Sequence, residues 1–314
     1  MGALGIGPTL GMRQRGRARG FDFAGGVLPP GASLTRASPA TCWSAAGVLH
    51  QVAADVARFD HDPATGARRG LLIEGAGGNA MLRSGELGHA VWTAPGLTRT
   101  GGLASPDGGT LATMLSDGPG SYGHLSQSVV AASGTMCLSV FVAKDMVGKA
   151  TRFVVIRIGA NIDLALDTAT GECAVISGSI VANGVQDCGA WWRVWGATAT
   201  SISATTLYPA CGAGALTLAS YQAAVVGNAV MFGPQLESGA APSSYMASGA
   251  LPGTRAADLL TLNWGMLGVA DGDVPVRYRF DDGSTQDVLT PVAGGIANVP
   301  GNLNRRRILS AALI

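Results

Sequence analysis

Apolar and polar positions alternate along much of this chain in short runs that break at turn residues. Val276-Arg277-Tyr278-Arg279-Phe280 alternates strictly, turns at Asp281-Asp282-Gly283-Ser284 and resumes from Gln286 to Leu289, which predicts a β-hairpin. Met136 to Val142 alternates loosely, Phe153 to Ile158 is a β-branched run, and Ala190 to Ala199 alternates aromatic with small residues; each predicts a strand. Gly70 to Gly75 reads as a short buried strand. Asp62-Pro63-Ala64-Thr65-Gly66 and Asp167-Thr168-Ala169-Thr170-Gly171 read as turns, and Asn183-Gly184 as the tight turn of a hairpin. Strands at this spacing predict a sandwich of two antiparallel sheets.

Composition points the same way. The chain has 314 residues, with 47 Gly and 15 Pro and only 13% charged residues. Glycine costs about 1 kcal/mol relative to alanine inside a helix, so the composition weighs against a mainly helical protein and fits short strands joined by turns better. A hydrophobic content of 47% is enough to bury a core. Basic and acidic residues nearly cancel, leaving a net charge of +1, and nothing in that balance draws the chain to nucleic acid or an anionic membrane. Residues 194–236 carry no formal charge, yet Thr, Ser, Gly and Pro interrupt them; they read as buried sheet and no membrane insertion is expected. Cys42, Cys137, Cys173, Cys188 and Cys211 form no CxxC pair, and their odd number suggests free, mostly buried thiols. Ala3 to Met12 precedes the first arginines, the reverse of the order in a secretory signal; no export signal is visible, and synthesis in a bacterial cytoplasm is expected.

Three segments follow. Residues 1–20 form an extended basic anchor segment, whose Arg13, Arg15, Arg17 and Arg19 share one face of an extended strand and suit an acidic groove; a solvated tail is the alternative. Residues 21–250 form the sandwich. Gly249 to Arg255 reads as a linker, and residues 256–314, richer in charge, as a small C-terminal β domain.

Several blocks carry a resemblance. Arg36-Ala37-Ser38-Pro39-Ala40-Thr41, Ala57 to Gly66, Arg69 to Gly75, Pro106-Asp107-Gly108 and Trp191-Trp192-Arg193-Val194 occur in order. Gln235-Leu236-Glu237-Ser238-Gly239, Ser243-Ser244-Tyr245 and Thr254-Arg255-Ala256-Ala257-Asp258 close the series. Together they resemble the concanavalin-like, carbohydrate-binding-module-like lectin domain of tailed-phage and gene-transfer-agent virion proteins. Phe280 to Gln286 and Asn304 to Ile308 are similar to the small β unit that often follows it. Two departures, Asn79-Ala80-Met81-Leu82 for Asn-Leu-Leu and Met246 for an isoleucine, are hydrophobic swaps. The resemblance implies an all-β, antiparallel jelly-roll sandwich on a head spike or tail fibre. It also implies a place on the virion surface, other virion proteins as partners, and host-surface polysaccharide as a target in host recognition.

No catalytic role is expected. Cleaving polysaccharide needs two carboxylates about 5 to 10 Å apart, and the four glutamates, Glu74, Glu86, Glu172 and Glu237, show no such arrangement. Glu74 and Glu237 read as structural, satisfying backbone amides or pairing with an arginine such as Arg58 or Arg255. No GxSxG elbow or Cys/His metal spacing occurs, and no cofactor is expected. Asp60-His61-Asp62 and Asp271-Gly272-Asp273 offer oxygens for a structural calcium but read first as turns. For sugar binding the candidates are Trp92 and the row Trp191, Arg193 and Trp195, which alternation places on one face of a strand. That row either stacks a sugar, meets another subunit, or lies packed with Arg193 snorkelling. Lys144 and Lys149 are the only lysines, and so lightly charged a surface favours a homo-oligomer, a trimer by analogy with fibres.

Overall fold

The computed structural model describes residues 19–118, 122–132, 134–144, 152–211 and 226–314. These form an all-β fold of antiparallel sheets, with a single turn of 3-10 helix at Trp264–Leu267. Two sheets face each other as a sandwich. The front sheet orders six strands as Ala182–Cys188, Trp191–Thr198, Met136–Ala143, Gly227–Ser238, Ala112–Asp117 and Leu97–Leu103. The back sheet orders five as Leu125–Ala132, Ile202–Tyr208, Phe153–Ile158, Ile162–Asp167 and Cys173–Ser177. Leu138, Val140, Val142 and Val194 from the front meet Ile156, Ile158, Leu164 and Leu166 from the back in an aliphatic core.

The second body, here called the base, is assembled from both ends of the described chain. Its main sheet runs Thr285–Val292, Gly272–Phe280, Arg307–Leu313, Arg68–Leu72 and Phe59–His61, with Gly20–Asp22 also paired to Arg307–Leu313. A smaller sheet joins Ala32–Thr35, Leu259–Asn263 and Ile296–Asn298. Phe21, Phe23 and Leu71 from before the sandwich pack with Leu260, Trp264, Tyr278, Phe280 and Ile308 from after it. The boundary drawn between 21–250 and 256–314 therefore cuts through paired strands: the C-terminal strands complete their sheets and core with residues 20–72. The end of the expected linker is likewise a strand. Gly253–Arg255 pairs with Gly77–Asn79, and Arg255 is buried. Its Gly-Pro composition marks a tight approach, since a Cβ on Gly253 would sit 2.4 Å from the Ala247 carbonyl.

The expected hairpin Val276 to Leu289 forms, as do the turns at 62–66 and 167–171. Asn183-Gly184 does not turn. Both residues lie inside the strand Ala182–Cys188, and the reversal comes at Gly189, where φ is +72°. Gly184 is there for clearance, because a Cβ would meet the Trp195 ring at 2.9 Å. The loose alternation of Met136 to Val142 has its own cause: Met136 through Val142 are buried on both faces of the strand. An antiparallel sheet usually leaves one face wet, so a third layer must cover the front sheet. That layer is the hairpin Ala40–Trp43/Leu49–Val52 together with the base. Trp43 and Leu49 pack with Phe141, Trp191, Phe232 and Tyr245 on the front sheet's outer face. Among the described residues no helix is long and apolar enough to cross a membrane.

Candidate functional site

Beside that aromatic layer, the front sheet and the base meet through buried charge. Glu74, just past the strand Arg68–Leu72, is held by Arg58 at 2.9 Å and Arg255 at 3.2 Å. It also accepts hydrogen bonds from the Ser244 amide at 2.9 Å and hydroxyl at 2.6 Å. Burial alone would raise its carboxyl, but Arg255 and Arg58 outweigh burial and hold it down at about 2. Asp258 bridges Arg36, at 2.9 Å, and Arg58, and accepts the Glu74 amide at 2.8 Å. Glu237, from the front sheet, accepts from the Ser243 amide at 2.9 Å, from its hydroxyl, and from the Gln235 amide. The structural roles expected of Glu74 and Glu237 are the ones their contacts describe.

Asn79 locks the crossing point. Its side chain donates to the carbonyls of Pro234 and Met246 and accepts from the amides of Met81 and Leu236. The Pro234 carbonyl is offered by a bulge, where Ser139 faces Gln235 but Phe141 faces Phe232 and Gly233 takes φ of +63°.

The nominated sugar-binding residues fall into two groups. Trp92 is 1% exposed, packs in the sandwich core and donates its indole N–H to the Arg83 carbonyl at 3.2 Å. Trp191 lies in the aromatic layer with Trp43, Leu49 and Cys188. Arg193 is buried, bonded to the Ser243 carbonyl at 2.8 Å and the Ser139 hydroxyl at 3.0 Å, with its charge over the Phe141 ring. It does not snorkel, because the base covers the face on which it stands. These three therefore offer no open platform. Trp195 alone of the four is not fully buried, lying across Gly184 on the strand next to the sheet edge. Trp192, on the opposite face, is also half-buried; its indole donates to the Thr168 carbonyl at 2.8 Å and Lys144 lies 3.9 Å above its ring.

Of the nominated anchor residues, Arg13, Arg15 and Arg17 lie outside the described residues. Arg19 is exposed at the base, and its carbonyl accepts from the Leu313 amide at 3.0 Å. Of the carboxylates considered for calcium, Asp60, Asp62 and Asp271 are engaged otherwise. Asp60 accepts from the Trp43 amide at 2.7 Å and from Arg307 at 2.6 Å. Asp62 caps its own turn through Thr65, and Asp271 accepts the amides of Gly294 and Gly295. Among the described residues no group of three or more His, Cys, Asp or Glu is placed to hold a metal ion. All five cysteines are free thiols, and burial pushes Cys42, Cys137, Cys188 and Cys211 up to about 12, which leaves them protonated and unreactive at neutral pH.

Two cavities border the charged seam. The smaller, about 90 Å3, lies among Trp43, Gln186, Arg193 and Ser243. It has room for on the order of three waters at liquid density. Gln186 and Arg193 each keep one buried nitrogen without a hydrogen-bond partner. The larger, about 510 Å3, is lined by Gly75 to Gly78, Glu237, Arg255, Leu259, Val299, Leu303 and Arg306. Sequence reasoning did not single out this cleft, because its lining is drawn from four separate stretches of chain. The triple Arg305-Arg306-Arg307 was its one local signal. Neither the protein-family models nor the curated proteins give a match to this chain.

Proposed function

We propose that this chain is a non-enzymatic spike or fibre protein of a phage-like or gene-transfer-agent particle, with the sandwich directed outward to a host-surface polysaccharide. One topological observation supports the reading: the sandwich is an insertion between two halves of the base. The strand Gly20–Asp22, which continues residues 1–19, pairs with the C-terminal strand Arg307–Leu313. An attachment made through the basic segment then pulls on the base, and the inserted sandwich is presented without interruption of its own core. Trp195 is the sugar platform in this reading, since a partly accessible indole stacks on the apolar side of a pyranose with little loss of entropy. Chemistry argues against hydrolysis at the seam: a general acid must carry a proton at working pH, and Glu74, held at about 2, does not.

Glycan-array binding by the full chain tests the reading. The expected result is a signal abolished by Trp195→Ala with the melting curve unchanged; binding that survives the substitution removes Trp195 as the platform. Deleting residues 2–18 is expected to abolish incorporation into particles, and incorporation at normal copy number removes the anchor role. A second reading, a decoration or adaptor protein that contacts only other virion proteins and copies of itself, is favoured by the burial of Trp92, Trp191 and Arg193. Normal particle assembly with no glycan bound supports that reading.

A further inference from the structure

The cleft of about 510 Å3 is within the size range of small-ligand sites, roughly 300 to 1,000 Å3. Its charges are unequally committed. Glu74, Glu237 and Asp258 are each closed by internal arginines, hydroxyls or amides. The guanidinium of Arg306 is not closed in this way. Its side chain is 43% exposed, and one of its terminal nitrogens donates both to the Pro242 carbonyl at 2.8 Å and to Glu74 at 3.4 Å. Arg255, buried in the cleft wall, keeps its Nε without a hydrogen-bond partner. The lining also includes an apolar group, Leu259, Val299, Pro300 and Leu303, of which Leu259 is 62% exposed. Cationic donors and an apolar patch thus share one recess.

We propose that this cleft binds the carboxylate-bearing residue of an acidic polysaccharide, a sugar of the uronic acid type. The proposal rests on the polysaccharide-binding reading above and names the class of sugar. A guanidinium fork matches a carboxylate through two parallel hydrogen bonds. The half-exposed Arg306 has the free donors for that pairing, and the Leu259 patch takes the apolar face of the ring. A neutral sugar would leave the donors of Arg306 that Glu74 and Pro242 do not take to water.

The test is calorimetric titration of the full-length protein with oligogalacturonate, neutral dextran oligomers and a poly-glutamate peptide. The expected result is binding of oligogalacturonate that falls by about tenfold or more in Arg306→Gln, as for loss of a charge-assisted pair, and weakens with salt. Leu259→Glu, a change at an exposed position, is expected to weaken it as well by setting a like charge at the mouth. Unchanged affinity in both variants overturns the proposal, and so does equal binding of poly-glutamate, which would assign the cleft to an acidic protein segment. Binding of dextran alone, lost in Trp195→Ala, removes the cleft as a sugar site and leaves the polysaccharide reading intact. Failure to bind any of the saccharides removes both.

Discussion

On one side of the strand Met136–Ala143, Leu138, Val140 and Val142 meet Ile156 and Leu164 across an aliphatic core; on the other, Ser139 and Phe141 face Arg193 and the charged seam beneath the base. The same eight residues thus serve two kinds of interior. The aliphatic side is stabilised by area removed from water, is non-directional and does not respond to pH. The seam is favourable only while each charge keeps its partners, because a buried ion left unpaired costs more than the pair contributes. Loss of one group should therefore be felt more sharply at the seam, and only there should stability depend on protons.

The largest effect is expected from Arg58→Met, which strips a buried partner from both Glu74 and Asp258. Breaking a buried pair from one side costs about 3–5 kcal/mol, measurable by urea unfolding. The contrasting variant is Leu164→Ala in the sandwich core, where a cavity costs about 2–5 kcal/mol. Its stability is expected to follow the wild-type pH profile with a constant offset, whereas that of Arg58→Met is not.

Acid provides the next test. Glu74 is held at about 2 in the folded chain against an ordinary 4.5. A depressed folded value contributes stability that is present above 4.5 and is lost as the pH falls towards 2. At about 1.4 kcal/mol per pH unit this amounts to about 3 kcal/mol. The melting temperature should drop through that window, and Glu74→Gln, already destabilised at neutral pH, should show a flatter profile. Equal acid slopes in the two proteins would refute the role given to Glu74.

Smaller effects lie at the margins. Gly184→Ala drives a methyl to 2.9 Å from the Trp195 ring and is expected to cost about 1–3 kcal/mol through overpacking, with a shift in tryptophan fluorescence. Arg277→Ala removes an ion pair with Asp287 on the exposed face of the base, where solvent screens the charges; unfolding curves should superimpose on wild type. A clear loss there would mean that this face is covered in the functional assembly.

Much of the β-structure was legible because its signals are local. The alternation of Val276 to Phe280, the β-branched run at Phe153 to Ile158 and the turns at 62–66 and 167–171 each lie within a few consecutive residues, and steric preference acts over that range. Chemistry also limited Glu74 and Glu237 in advance, since buried carboxylates require partners. The row Trp191, Arg193 and Trp195 was correctly placed on one face, but nothing in the strand itself says what covers that face. Asn183-Gly184 was misread for a related reason: a glycine required by a neighbouring ring looks the same in sequence as a glycine required by a turn.

From the sequence alone came the strands, many of their turns and the all-β class. Tertiary structure decided which strands complete the base, which tryptophans are buried and where the cleft lies. The Glu74 amide meets Asp258 across a sequence separation of 184. A contact of that kind is fixed by the closure of two sheets against each other, and no periodicity within either segment encodes it.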